Sequence, residues 1–265
     1  SHPDIDKITF TGSTATGKRV MESASKDLKR ITLELGGNDA AIVLPDADVA
    51  KVAEKLFWAS FYNAGQVCIA AKRIYIHEDI YDELSNAIAE YAKAVKVGDG
   101  AEQGTAIGPI QNKQQYNRVL ELIADAKDKG YKFLVGGDHD PSIPGYFVPV
   151  TVLDNPPEDA RIVAEEQFGP VMPLMKFSTV SEVISRANAS DYGLAGSIWT
   201  SNPEAAVEVA EQLETGTVWI NESMHLAPNA PFAGHKQSGF GAELGEEGLL
   251  EFTYPQVITI AREAA

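Results

Sequence analysis

The chain has one cysteine, Cys68, among its 265 residues. A single thiol excludes internal disulfides and fits a reducing, cytoplasmic setting. Positive charge is also scarce, with 22 Lys and Arg against 38 Asp and Glu and a formal net charge of −16. Nucleic acid and anionic membranes are bound through clustered Lys and Arg, so neither is expected as a partner. No apolar run approaches the roughly 18 residues of a membrane span. Ser1-His2-Pro3-Asp4 shows neither the basic region nor the apolar core of a signal peptide. No His or Cys pair has ligand spacing, so no metal site is expected. There is no internal repeat and no low-complexity segment. Against these absences stands a content of 44% hydrophobic residues, enough for one large domain or one medium domain with appendages.

Strand and helix patterns alternate, which predicts an α/β fold. Ile8-Thr9-Phe10 reads as a strand, Gly17 to Ser25 as a helix, and Arg30 to Leu35 as a second strand closed by Gly36-Gly37. Ala40 to Leu44 is a buried strand, and Pro45-Asp46 turns the chain into a helix with Val49, Val52 and Leu56 on its apolar face. That helix should stop near Asn63-Ala64-Gly65. A strand at Arg73–His77, a helix at Ile80–Val95, a Gly-rich loop, a helix at 113–128 and strands at 132–135 and 148–153 follow. A second βαβ-like series spans roughly 171–220, followed by a long loop, a short helix and a strand at Val257 to Ile260.

Four segments carry the chemistry. Gly12-Ser13-Thr14-Ala15-Thr16-Gly17-Lys18-Arg19 lies between a strand and a helix, where free backbone N–H groups suit phosphate oxygens. It is close to a P-loop, yet Arg19 stands where a magnesium-binding Ser or Thr is needed, and Thr14 breaks G-x-G-x-x-G. An ordinary turn capped by Ser13 or Thr14 is the plain alternative. In Leu33-Glu34-Leu35-Gly36-Gly37-Asn38, a carboxylate between two leucines is either a buried base with a raised pKa or the partner of a surface cation. In Asn63-Ala64-Gly65-Gln66-Val67-Cys68, the cysteine follows a helix stop on a polar turn, which suits an accessible thiol. A lone cysteine can equally be a small buried hydrophobe. Glu165-Glu166-Gln167-Phe168-Gly169-Pro170 alone reads as a solvated loop. A cysteine hydrolase would need a histidine beside Cys68, and none of the five histidines has a recognisable context.

Taken together with Pro231-Phe232-Ala233-Gly234 and Lys236-Gln237-Ser238-Gly239, these segments resemble the aldehyde dehydrogenase superfamily from about Asp6 to the C-terminus. Ala233 departs from the Gly of many relatives. The resemblance implies an α/β fold, with an aldehyde dehydrogenase-like catalytic domain and a remnant of a Rossmann-like cofactor domain. It implies that residues 1–36 end the NAD(P)-binding domain and that 37–235 form the catalytic domain. Residues 236–265 would return to the cofactor domain and end in an oligomerisation strand. Cys68 would be the nucleophile and Glu34 the base for the hydrolytic water, giving hydrolysis rather than transfer to coenzyme A. Glu166 would hold the nicotinamide ribose with Phe168 beside the ring. Gly12, Ser13 and Leu35 would complete the contacts to NAD or NADP, and Asn221 would edge the substrate tunnel. The implied partner is a small-molecule aldehyde, within a homo-oligomer of the full-length form. The family's asparagine oxyanion donor and adenosine-ribose lysine would lie upstream, so the chain resembles the C-terminal half to two-thirds of a longer enzyme. A folded fragment that binds without turnover is the alternative expectation.

Overall fold

The computed structural model describes residues 2–262. Strands β1 (Lys7–Thr11) and β2 (Arg30–Glu34) run parallel, joined by helix α1 (Thr14–Ser25). The helix begins three residues before the expected Gly17, because the Ser13 hydroxyl accepts the Thr16 N–H at 3.3 Å and caps it. Gly17 then faces Leu35, whose Cδ2 would stand 2.5 Å from any Cβ placed there. That close approach lets α1 lie flat on β2.

The larger sheet is assembled from β3 (Asp39–Val43), β4 (Ala71–His77), β5 (Lys132–Val135), β6 (Thr151–Asp154), β7 (Val171–Phe177), β9 (Ala195–Trp199) and β10 (Thr217–Ile220). Its order is β10-β9-β3-β4-β7-β6-β5, parallel throughout except for β5 against β6. Parallel strands need long crossovers, which place helices on both faces and bury the strands on both sides. β3 shows this directly, since Ala40 and Ile42 enter one core while Ala41 and Val43 enter the other. The second core is closed by α2 (Val49–Phe61) and α3 (Glu78–Ala94) through Leu56, Phe57, Leu84 and Ile88. The first is closed by α4 (Lys113–Asp128), α6 (Val180–Asn188) and α7 (Pro203–Ala210), with the single turn α5 (Arg161–Ala164) beside them.

Short pairings join the two sheets. β8 (Tyr192–Gly193) pairs with β11 (His235–Lys236), and β12 (Gly239–Phe240) adds antiparallel to β2. Helix α8 (Gly245–Leu250) follows, and Glu251 then accepts from Lys7 at 2.8 Å. The segment after α8 therefore lies against β1 and β2.

Two expectations are corrected. Val257 to Ile260 form no strand among the described residues, with Val257, Ile258 and Ile260 at least 79% exposed, because no described strand lies alongside to offer them a ladder. The strand expected at 148–153 begins only at Thr151, after Pro149, which has no N–H to give. Among the described residues, no helix is long and apolar enough to cross a membrane.

Candidate active site

Glu34 ends β2 with 3% of its surface exposed, and neither carboxylate oxygen has a hydrogen-bond partner among the described residues. The surface-cation alternative for this residue is thereby removed. Loss of solvent is the main cause that pushes its pKa up to about 8, and the nearby charge of Glu243 adds to it. Its backbone is fixed from both sides: the Glu34 carbonyl accepts the Gly12 N–H at 3.1 Å, and Gly239 lies opposite in β12. Leu35 N–H donates to the Ser238 carbonyl at 2.8 Å.

The thiol arrives by a strained turn. Asn63, Ala64 and Gly65 have φ of 52°, 57° and 71°, three consecutive left-handed residues. Asn tolerates this region and Gly favours it, but Ala64 is held there at a cost of about 1–2 kcal/mol. Gly65 is required, because a Cβ would strike the Gly169 carbonyl. The turn thus presses the Cys68 segment against the Phe168-Gly169 loop. Cys68 is half-buried, packed beside a cluster of Ile69, Leu194, Trp219 and Phe232. Burial pushes the thiol pKa up, opposed by Lys72 and by the Ile69 N–H, and reinforced by Asp39 and Glu166. The thiol therefore stays partly accessible on its turn, with the apolar cluster covering part of it.

The ribose candidate Glu166 reaches the same place. Its Oε1 accepts the Gly37 N–H at 3.0 Å and lies 3.5 Å from Lys72 Nζ, while its other oxygen sits against Gly36. Phe168 is half-exposed with φ of 48°, and its carbonyl accepts from Gln115 Nε2 at 3.1 Å. Ser13 is exposed at the start of α1, which has no acidic residue in its first turn. The 236–239 segment meets this turn, as Thr14 and Lys18 donate to Gln237 at 3.2 and 2.9 Å.

Segment 34–39 therefore gathers Glu34, Cys68 and Glu166: the Cys68 carbonyl would lie 2.6 Å from a Cβ at Gly37, and Glu166 contacts Gly36 and Gly37. Phe232 links the thiol cluster to Glu243, the residue whose charge acts on Glu34, by exchanging backbone hydrogen bonds of 2.7 and 2.8 Å with it. Asn221 is placed differently. It follows β10 at the opposite strand ends from Cys68, and its side-chain oxygen accepts the Thr200 N–H at 2.9 Å. It does line an open groove of about 940 Å³ with Trp58, Tyr62 and Met224, and Met224 packs against the same apolar cluster as Cys68. Leu35 is buried under α1 rather than facing the open turn.

Sequence reasoning missed Lys72, Asp39 and Glu243. Lys72 is 3% exposed and Asp39 4%. Asp39 is pushed up to about 7, mainly by burial, against the lowering charge of Lys72. Asp39 opens β3 and Lys72 is the second residue of β4, and a charge at the start of an apolar strand gives no sign of burial.

The site thus holds a half-buried cysteine, a buried unpaired carboxylate and an anchored second carboxylate on a parallel α/β sheet. The aldehyde dehydrogenase family model matches residues 1–258, and the chain belongs to that family. It is 45% identical to human retinaldehyde dehydrogenase 3 over 98% of this chain and 51% of that protein. An NAD+ complex of aldehyde dehydrogenase from Bacillus cereus superposes with a TM-score of 0.92 at 43% identity, over 96% of this chain and 51% of that one. Lactaldehyde dehydrogenase from Escherichia coli gives 0.92 at 36% identity, over 97% and 54%. The chain spans about half the length of the relatives it matches.

Proposed function

We propose that this chain carries the nucleophile and the hydrolytic base of an enzyme that oxidises an aldehyde to a carboxylic acid with NAD or NADP. The observation that carries this reading is the Glu34 carboxylate, buried and unpartnered beside the segment that holds the Cys68 loop.

The Cys68 thiolate adds to the aldehyde carbonyl carbon, forming a C–S bond and a tetrahedral thiohemiacetal. A nicotinamide cofactor, when bound, supplies the acceptor for the hydride that leaves this carbon. Ser13 and the first N–H groups of α1 suit its pyrophosphate, and the anchored Glu166 suits a ribose hydroxyl, with room left by Gly36. Glu34 then takes a proton from water, the water oxygen adds to the thioester carbon, and the C–S bond breaks to release the acid and the thiol. A base with a pKa near 8 is matched to this step close to neutral pH.

Residues 1–36 are read as the end of the cofactor domain and 37–235 as the catalytic domain. The exposed apolar residues Val257, Ile258 and Ile260 support assembly with a second copy through the tail. The test is intact-mass spectrometry of the folded chain with a small activated ester. An acyl adduct on Cys68 that forms and decays supports the reading. A folded chain that never forms one leaves a binding fragment without turnover.

A further inference from the structure

Lys72 is a buried side chain whose three donors are all spent within one loop and its neighbour. Its ammonium donates to the carbonyls of Val67 at 2.9 Å, Cys68 at 2.8 Å and Ala70 at 3.3 Å. It also lies 3.5 Å from Glu166 Oε1, the oxygen that accepts the Gly37 N–H. A buried ammonium is costly unless fully satisfied, so this one constrains every group it touches. The β3–β4 register shifts here, with Lys72 the extra residue between the pairs Ala71–Asp39 and Arg73–Ala40, a bulge of the kind that re-aims the side chain it carries.

We propose that Lys72 is a positioning residue that couples the two halves of the site, fixing the peptide of Cys68 and tying it to Glu166. Through this tie, the reactivity of the thiol answers to the charge at the ribose-binding carboxylate. The inference deepens the dehydrogenase reading by assigning control of that same nucleophile. The charged groups facing the thiol are Lys72 from β4, Asp39 from β3 and Glu166 from the 165–170 loop. Asp39 in turn faces Lys72 and Arg73, and its Oδ1 accepts the Ala195 N–H at 3.3 Å. Lys72 is the one group among them that contacts both the cysteine peptide and Glu166.

The test is the pH profile of Cys68 alkylation by iodoacetamide, followed by intact mass on the full chain. Lys72→Met is expected to raise the midpoint by about one pH unit, slowing alkylation at pH 7 about tenfold. Glu166→Gln is expected to lower the midpoint when Lys72 is present, and to shift it by less than half as much in the Lys72→Met background. Strict additivity of the two substitutions overturns the coupling. Should Lys72→Met fail to fold, Lys72→Gln takes its place in the same double-mutant cycle, and strict additivity with Glu166→Gln again overturns the coupling. Alkylation needs neither acylation nor turnover. A chain that shows the coupled shifts but forms no acyl adduct keeps the role of Lys72 and loses the dehydrogenase reading. A chain that acylates with additive shifts does the reverse.

Discussion

Glu34 and Gly239 are register partners across the antiparallel pair of β2 and β12. Gly239 has a φ of +124°, and a Cβ there would run into the Leu33 carbonyl oxygen. The pairing is thus possible only with glycine, and it brings the returning chain, with Glu243, up to the base. Gly239→Ala is expected to destabilise the fold by about 1–3 kcal/mol through backbone strain. It should also slow decay of the Cys68 acyl adduct more than its formation. Urea titration and an adduct time course check both; an unchanged decay rate would detach β12 from placement of the base.

The raised pKa of Glu34 makes two pH statements. Its folded value of about 8 lies above the ordinary 4.5, so the folded chain holds a proton that the unfolded chain gives up between those values. The associated stability is fully present below about pH 4.5 and is lost as pH rises through 8. Glu34→Gln cannot titrate, so its unfolding free energy should fall less steeply than the wild type over this window, by up to about 1.4 kcal/mol per pH unit. Thioester hydrolysis should rise with pH around a midpoint near 8, and Glu34→Gln should slow hydrolysis more than acylation. Equal slowing of both steps removes Glu34 from the base role.

Glu243 supplies the second cause of that shift. Its carboxylate is half-buried and accepts from the Thr9 hydroxyl at 3.3 Å. Glu243→Gln should therefore lower the hydrolysis midpoint below that of the wild type while leaving acylation little changed. A midpoint that stays in place or rises would show that desolvation alone sets the base.

Much of this was readable before any coordinates. The helix at 113–128 and the strand at 132–135 were expected with the bounds they have, because periodicity and turn residues agree there. Glu34 and Cys68 stand out beside glycine turns, each with a plain alternative, whereas Glu166 alone reads as part of a solvated loop and enters only through the family resemblance. Lys72 and Asp39 were silent because a charge beginning an apolar strand reads as a strand end meeting water. Only the sheet order, with β3 beside β4, turns both into the buried floor beneath the thiol. β12 was hidden in a loop because two residues carry no period. The tail at Val257 to Ile260 has the composition of a strand, but composition names no partner, and none is supplied among the described residues.

Cys68 reactivity follows from the apolar cluster that covers it. Burial raises its pKa, so the thiolate fraction at pH 7 is smaller than for a free cysteine. Alkylation of the folded chain should be slower at pH 7 than that of a free cysteine peptide, and its rise with pH should come later than the peptide's. Phe232→Ala opens the cluster on one side and should speed alkylation several-fold at constant pH. A Cys68 that reacts as fast as the free peptide would show that the cluster does not control access to it.

Gly36 and Gly37 are adjacent, yet they guard different halves of the site. A Cβ at Gly36 would press on the Glu166 carboxylate, and its nearest other neighbour is the Tyr192 ring. A Cβ at Gly37 would instead stand 2.6 Å from the Cys68 carbonyl and 2.8 Å from Asp39 Oδ1. At Gly36 the obstacle is the far end of the flexible Glu166 side chain, whereas at Gly37 it is the Cys68 carbonyl, backbone held by Lys72. Gly36→Ala should therefore leave acyl-adduct formation within about twofold of wild type while loosening the ribose contact, read as weaker NAD+ binding by calorimetry or in a full-length background. Gly37→Ala should cut acylation about tenfold or more, since a displacement of about 1 Å at a reacting group costs on the order of a hundredfold in rate. Equal losses of acylation in the two variants would mean that the 34–39 segment moves as one rigid piece, and that the thiol and the ribose carboxylate cannot be disturbed separately.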